Sequence, residues 1–329
     1  MAQPSADQVW NATETELLNL LNSDKFILEK RRINFYAPSF MYYKTSHYRS
    51  KPTEFPTVSI TGKGCTLNCK HCEGKVLETM HPANTPQKLI ELCTELKQKG
   101  ALGCLISGGC SPDGSVPLEQ FIPAIAQIKR DLGLTVLVHT GIIKSETAQQ
   151  LKDAGVDAAL IDIIGSDQTI HEVYNLQTTV ENYAESLQAL QDAKIDFVPH
   201  VIVGLHHGKL KGELAALTMI AKHKPSAVAI ISFMPIHGTT MAKTTPPTPI
   251  EIAKVTATAR TMFPQTPVVL GCMRPKGKHR AQTDVLVLKA GVDAIAFPSE
   301  EAIKYAEQQG YDIRFSSYCC SQIYKDLKT

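Results

Sequence analysis

From Thr57 onward, short runs of β-branched and apolar residues alternate with amphipathic stretches of helical period. The runs predict strands at Thr57–Thr61, Cys104–Ser107, Thr135–His139, Ala158–Ile163, Phe197–Val203, Ala227–Phe233, Pro267–Leu270 and Ala294–Phe297. Between them the pattern predicts helices, among them Pro86–Lys99, Leu118–Asp131, Ser145–Asp153 and Thr179–Asp192. Gly100, Gly133 and Gly155 stand just before the next strand, where a glycine closes a helix end. A strand–helix repeat of about 30 residues, run eight times, predicts an α/β fold of the (β/α)8 TIM-barrel type. A doubly wound open sheet is the alternative, disfavoured by the strand count and the missing Gly-rich dinucleotide fingerprint.

The flanks read differently. Thr13 and Glu16 have capping-box spacing, and Leu17, Leu18, Leu20 and Leu21 begin an apolar helical face. Tyr36 to Pro56 has no periodicity and reads as coil crossing one end of the barrel. The expected organisation is a helical extension over 1–56, a barrel over 57–299, and over 300–329 a helix with a cysteine-bearing tail folded across the barrel mouth.

Composition narrows the class. Apolar residues make up 43% and charged residues 20%, ordinary for a globular chain with a sizeable core. Thirty-four basic against 32 acidic side chains give a net charge of +2, which makes no electrostatic case for nucleic acid or a membrane surface. No apolar run approaches the ~18 residues a spanning helix needs, and the polar N-terminus lacks a signal-peptide core. The expected location is cytoplasmic. In that setting nine cysteines read as metal ligands and buried thiols, not as a disulfide framework.

Three of the nine, Cys65, Cys69 and Cys72, lie in one glycine-flanked loop directly after the first predicted strand. In a barrel that end of a strand carries the chemistry. Structural zinc wants four ligands, usually as two separated pairs. A 4Fe–4S cube also has four corners, so three cysteines leave one iron unclaimed, as a catalytic cluster requires. A zinc clip or plain thiols is the bland alternative. Cys93 shares a helix face with Leu89 and Leu96, and Cys104 lies within a strand; both read as buried small hydrophobes. Cys110 and Cys272 follow strands on the reactive end, and Cys319 and Cys320 are adjacent in the tail. These four are candidates for a second iron–sulfur cluster, or ordinary thiols.

The Cys65-x3-Cys69-x2-Cys72 loop resembles the cluster motif of the radical S-adenosylmethionine (SAM) superfamily. That resemblance implies a 4Fe–4S cluster whose open iron chelates SAM and whose electron releases a 5′-deoxyadenosyl radical. His71 stands where the family usually has an aromatic residue. Ser107-Gly108-Gly109 is similar to the glycine pair that receives the SAM amino group, with Cys110 replacing the usual acidic or polar residue. Asp162 is a ribose candidate, a capping aspartate being the alternative. The run from His200 to Leu205 is similar to the segment lying against adenine, with His200 as a SAM contact; Met234 to Thr239 also has a familiar form. His139 and His237 carry weaker claims. No catalytic side chain is assigned.

Ile202-Val203-Gly204-Leu205 and Ala290-Gly291-Val292-Asp293 resemble the biotin synthase branch. Leu105, Val138 and Val198 stand where biotin synthase holds its second cluster with cysteines, which argues against that enzyme itself. Ser316-Ser317-Tyr318 resembles the C-terminal motif of lipoyl synthases, in which a serine oxygen ligates the auxiliary cluster, making Ser317 a candidate ligand. No cysteine precedes Cys65, so the N-terminal cysteine motif of the single-chain lipoyl synthase is missing. Phe35–Phe40, with Gly271-Cys272-Met273-Arg274-Pro275, looks instead like a subunit of the two-protein lipoyl synthase.

That resemblance implies sulfur insertion at C6 or C8 of an octanoyl chain carried by a lipoyl domain or H protein. The implied partners are a second related radical SAM subunit and an electron donor such as ferredoxin or flavodoxin. Lys276, Lys278, His279 and Arg280 form a basic run that can steer an acidic carrier, or simply a solvated loop. Alternatives are a mutase or other C–H-functionalising relative without sulfur donation, and a non-enzymatic metal-binding barrel.

Overall fold

The computed structural model describes residues 4–23, 25–26 and 32–328. Eleven strands form one sheet: β1 Arg32–Tyr36, β2 Thr57–Ser59, β3 His81–Pro82, β4 Gly103–Ser107, β5 Thr135–His139, β6 Ala158–Asp162, β7 Phe197–Val203, β8 Val228–Ser232, β9 Val268–Leu270, β10 Ala294–Ala296 and β11 Asp312–Ser316. Their order is β11-β1-β10-β9-β8-β7-β6-β5-β4-β2-β3, and every pairing is parallel. All eight expected strands are present, in a curled TIM-type sheet with helices on its outside. No helix among the described residues is long and apolar enough to cross a membrane.

Alternate residues face opposite ways, and the two faces build separate cores. Cys104, Ile106, Val136, Val138, Ile161, Val201 and Ile230 pack outward with the helices, joined by Cys93. Leu105, Leu137, Leu160, Val198, Ala229, Val269 and Ala296 belong to a second, inner core. Cys93 and Cys104 are fully buried, as small hydrophobes are expected to be.

Two strands escape the sequence pattern. β1 lies in the stretch read as extension and coil; it is buried along most of its length, polar Asn34 included. β11 is half exposed and alternates polar with apolar residues, pairing with β1 from Arg32↔Asp312 to Tyr36↔Ser316. Together they form one edge of the sheet, and β3 forms the other. Residues 37–56 cross between these edges. Ala37 N–H donates to the Ser316 carbonyl (2.9 Å), Ser39 N–H to Phe55 (3.1 Å) and Leu102 N–H to Glu54 (2.8 Å). Tyr48 stacks on Phe315 at 5.1 Å, and Phe55 meets Tyr318 at 5.8 Å.

The tail departs from expectation. It does not lie across the mouth but enters the lumen and ends at the opposite, N-terminal end of the strands. Cys319, Cys320, Ile323 and Tyr324 belong to the inner core, beside Ala158, Ala227 and Ala294, whose small side chains leave space for them. Tyr324 Oη donates to the Asp157 carbonyl (2.9 Å) and Lys325 Nζ to the Asp157 carboxylate (2.8 Å), just before β6 begins. Arg32, the first residue of β1, donates to the Asp326 carbonyl at 2.9 Å, and Tyr36 Oη donates to the Asp326 carboxylate. Apolar burial and these polar anchors together favour the lumen over a solvated path across the mouth.

Beyond β9 the chain is fixed by a fully buried ion pair. Arg274 donates two hydrogen bonds to Asp284, at 2.7 and 2.9 Å, and others to the Gly271 and Phe297 carbonyls at 2.8 and 3.2 Å. Asp284 in turn accepts from Ser299 N–H at 2.9 Å. Replacing one partner leaves an uncompensated buried charge, which costs about 3–5 kcal/mol. Asp284→Ala is therefore expected to lower the urea midpoint by that amount of stability, whereas removing the exposed pair partner Lys51 is expected to leave it nearly unchanged.

Candidate functional site

The loop after β2 is bent by four left-handed residues, Gly62 (φ 61°), Asn68 (48°), Glu73 (45°) and Gly74 (72°). Such bends carry Cys65, Cys69 and Cys72 around one small space. The loop is clamped from two sides. Asn175, itself left-handed at the end of helix Asp167–Tyr174, donates to the carbonyls of Leu67 (3.2 Å) and Asn68 (3.0 Å). Lys70 N–H donates to Val173 (2.9 Å), and Met241 N–H to Lys70 (3.2 Å). Glu73 accepts from Thr240 N–H at 2.7 Å.

Under the loop runs the segment after β4. Thr61 Oγ1 accepts from Gly109 N–H (2.7 Å) and donates to the Gly64 carbonyl (2.8 Å). A Cβ at Gly109 would lie 2.0 Å from the Gly64 carbonyl oxygen and 2.5 Å from Cys65 Cα, so only glycine fits. At Gly108 a Cβ would meet only the side chains of Ile60 and Thr61, at 3.1 Å, which small shifts relieve. Gly109 is thus the glycine that close packing against the cysteine loop requires. Cys110 follows, its carbonyl accepting from Thr66 N–H at 3.0 Å.

Burial pushes the Cys69 thiol well up and the Cys72 thiol up to about 11, and the neighbouring thiols add to both shifts. Cys69 is 5% exposed and donates weakly to the Tyr174 carbonyl at 3.5 Å. Burial disfavours their thiolate forms; a cationic metal centre offsets that penalty by binding the thiolates. Among the described residues, two trios of His, Cys, Asp and Glu bring ligand atoms within 4.8 Å of one another, and neither contains a cysteine. The three loop thiols are therefore spread wider than the ligands of a single ion. Such a donor set suits a polynuclear iron–sulfur cluster, with Cys65, Cys69 and Cys72 as its holders. His71 stacks on the buried Tyr174 ring at 5.1 Å, and burial lowers its pKa to about 4. It behaves as the flat aromatic that the position calls for.

One of the two close trios lies at the ends of β5, β6 and β7: His139, Asp162 and His200. His139 Nε2 is 3.6 Å from Asp162, and the two imidazoles stack at 5.6 Å. His200 is 8% exposed, its Nδ1 has no partner, and burial lowers its pKa to about 4 against the opposing pull of Asp162. Asp162 is also an electrostatic neighbour of Cys72 and Cys110, so this polar floor adjoins the cysteine loop. Asp162 and His200, predicted separately, thus meet at one place.

The remaining cysteines divide. Cys110 gathers with the first three, its thiol raised to about 12 by burial and then by Cys65. Cys272, Cys319 and Cys320 gather in the lumen instead. Burial and Cys319 push Cys272 up to about 11, with Arg274 opposing. Cys320 donates its thiol hydrogen to Cys319, which lowers the pKa of Cys319 and raises that of Cys320. Ser317 is buried at their approach, its hydroxyl donating to the Glu54 carboxylate and sharing a hydrogen bond with Tyr48.

His237 stands outside both trios. The basic run does not form one patch: Lys276 and Lys278 are exposed, His279 bonds the Pro247 carbonyl at 2.8 Å, and Arg280 is half-buried against Arg274. Val138 faces outward, so Leu137 is the lumen-facing residue at that level of β5. Thr61, Tyr174, Asn175 and Asp284 were not singled out from the sequence. Asn175 alone had a local signal, an asparagine directly after a helix.

A curled parallel sheet with a three-cysteine loop beyond β2 defines a class of cluster-bearing barrels. Residues 59–211, just under half of the chain, match the family model of the Radical SAM superfamily. Its curated relatives are biotin synthase-like. "Biotin synthase 2" of Polaromonas sp. (strain JS666) is 26% identical over 76% of this chain and 74% of that protein. The biotin synthase of Polaromonas naphthalenivorans is 24% identical over 89% and 83%. The fold is shared with HydG, a maturase of the FeFe-hydrogenase (TM-score 0.64, 17% identity, 98% of this chain and 73% of that one). It is shared also with methylornithine synthase PylB (TM-score 0.59, 14% identity, 98% of both chains).

His200 generates a pH prediction. An unfolded histidine takes up a proton below its ordinary pKa of 6.5, whereas the buried one resists protonation until about pH 4. Its contribution is therefore intact above pH 6.5 and lost as pH falls toward 4, amounting to about 3 kcal/mol. In metal-free protein, urea denaturation of His200→Gln at pH 7 and pH 4 is expected to show a smaller drop in stability than wild type by that amount.

Proposed function

We propose that this chain is a radical SAM sulfur-insertion enzyme, one subunit of a two-protein lipoyl synthase. The observation that carries the reading is the second thiol group, Cys272, Cys319 and Cys320, inside the barrel and apart from Cys65, Cys69 and Cys72. A carrier of one cluster has no use for it. Biotin synthase-like relatives support a sulfur-donating class, and the motif around Ser317 supports the lipoyl branch.

In this reading Cys65, Cys69 and Cys72 hold the first cluster and Cys272, Cys319 and Cys320, with Ser317, hold the auxiliary one. When bound, the first cluster and SAM supply a 5′-deoxyadenosyl radical, and the auxiliary cluster supplies sulfide; this chemistry is the cofactors' own. The chain's residues orient and exclude. Gly109 keeps the β4 loop pressed on the cysteine loop, where the backbone of Gly108 and Gly109 would receive the SAM amino group. Asp162 would hold the ribose and His200 the adenosine. The inner apolar residues keep water from the C6 or C8 position of an octanoyl chain presented by a lipoyl carrier domain or H protein. A related radical SAM subunit performs the other insertion, and ferredoxin or flavodoxin supplies electrons in the cytoplasm. Lys276 and Lys278, both exposed, offer a positive edge to an acidic carrier.

Iron, sulfide and product measurements test this. Anaerobically reconstituted protein is expected to hold about eight irons per chain. It should form 5′-deoxyadenosine from SAM with dithionite, and add sulfur mass to an octanoylated carrier peptide when the partner subunit is present. Cys272→Ala, or Cys319→Ala with Cys320→Ala, should lower iron toward about four and abolish sulfur transfer while leaving SAM cleavage. Four irons unchanged by those substitutions would exclude sulfur donation and favour a mutase-like relative. Absence of 5′-deoxyadenosine would remove the radical reading altogether.

A further inference from the structure

The proposed ligand sets leave Cys110 unused, although it lies beside the first three cysteines. Two backbone constraints hold it there. Gly109, immediately before it, contacts Gly64 and Cys65 with no room for a Cβ. Thr66 N–H, one residue beyond Cys65, donates to the Cys110 carbonyl at 3.0 Å. Cys110 thus has its carbonyl engaged by the loop, and its thiol is partly buried. Cys65, Cys69, Cys72 and Cys110 are mutual electrostatic neighbours. Asp162 is an electrostatic neighbour of both Cys110 and Cys72. A cube held by three cysteines leaves its fourth iron without a protein ligand.

We infer that Cys110 is an exchangeable fourth ligand, a thiolate that occupies the open iron of the cluster held by Cys65, Cys69 and Cys72 until SAM displaces it. The inference rests on the radical SAM reading of that loop. The exchange is redox-neutral. The iron–sulfur bond to Cys110 breaks with both electrons on sulfur, the thiolate takes up a proton, and the SAM amino and carboxylate groups take the vacated positions. Cys110 thereby protects the cluster from losing its open iron between turnovers. It also imposes a competition that weakens apparent SAM binding, since only the uncapped fraction is competent.

The test uses full-length protein reconstituted without SAM: wild type, Cys110→Ala and Cys110→Ser. Electron paramagnetic resonance of the reduced cluster is recorded with and without cyanide, a small ligand for an open iron. Ferricyanide oxidation reports how readily one iron is lost to a three-iron form. The wild-type signal is expected to ignore cyanide and resist iron loss, whereas Cys110→Ala shifts with cyanide and loses one iron. A SAM titration of the same signal should show about tenfold tighter apparent binding in Cys110→Ala. Equal cyanide shifts and equal iron loss in wild type and Cys110→Ala would overturn the inference. If the variant assembles no cluster, wild type decides alone: a cyanide-sensitive, readily lost iron overturns the capping role. Failure of wild type to assemble any cluster would instead overturn the radical SAM reading with it.

Discussion

The molecule depends on filling a sheet that does not close on itself. Parallel strands run from β11 to β3, and those two edge strands do not pair. A barrel of this kind needs something other than a strand ladder to complete its wall and occupy its lumen. Residues 37–56 span the wall, and the C-terminal tail fills the inside. The small side chains Ala158, Ala227, Ala229, Ala294 and Ala296 make room for Cys319, Cys320, Ile323 and Tyr324. Asp157 then anchors the tail, accepting from Lys325 while also accepting from Val136 N–H and Lys129. Its carboxyl pKa is held low despite burial, because those donors outweigh desolvation. The tail is therefore part of the barrel's core, and its cysteines belong to the lumen, not to a lid.

The same economy appears at the cysteine loop, where backbone contact replaces side-chain bulk. Gly109 admits no Cβ, Thr61 bridges two backbone groups, and Asn175 accepts a left-handed conformation in order to donate twice. Each fixes the loop without occupying the space its thiols surround. The polar floor of His139, Asp162 and His200 completes the cavity from the strands below, with one imidazole nitrogen left unpaired. A buried orphan acceptor or donor is costly unless a ligand meets it. Together these features describe a polar site beside the three-cysteine loop.

Much of this was legible in the sequence, for reasons that are local. The central strands are short apolar runs bounded by turns, and a three-cysteine loop after the first is a compact pattern; both survive without knowledge of tertiary contacts. What failed to show was non-local. β1 and β11 both alternate polar with apolar residues, but each is only five residues long, β1 in a stretch read as extension and β11 behind a helix in a segment that its cysteines dominated. Thr61, Tyr174 and Asp284 matter only through partners distant in sequence. The tail's direction could not follow from its own residues, because the alanines that admit it are scattered over β6, β8 and β10 and their flanks.

Partition of the nine cysteines follows from the sheet's geometry. Strand alternation sends Cys104 outward to meet Cys93, and the loop after β4 carries Cys110 to the cysteine loop. Only Cys272 and the tail pair remain to serve the lumen. Cys272 sits between Gly271, whose carbonyl Arg274 grips, and the Arg274–Asp284 pair itself, so its position is set by buried charges that cannot relax cheaply. The hydrogen bond from Cys320 to Cys319 favours the Cys319 thiolate and holds the Cys320 thiol protonated, with Arg274 opposing the rise at Cys320. Ser317 is different: its hydroxyl is committed to Glu54 and Tyr48. In the proposed auxiliary site an oxygen ligand from Ser317 therefore requires that hydrogen-bond pair to open, and Cys319 and Cys320 give up the single hydrogen bond between them.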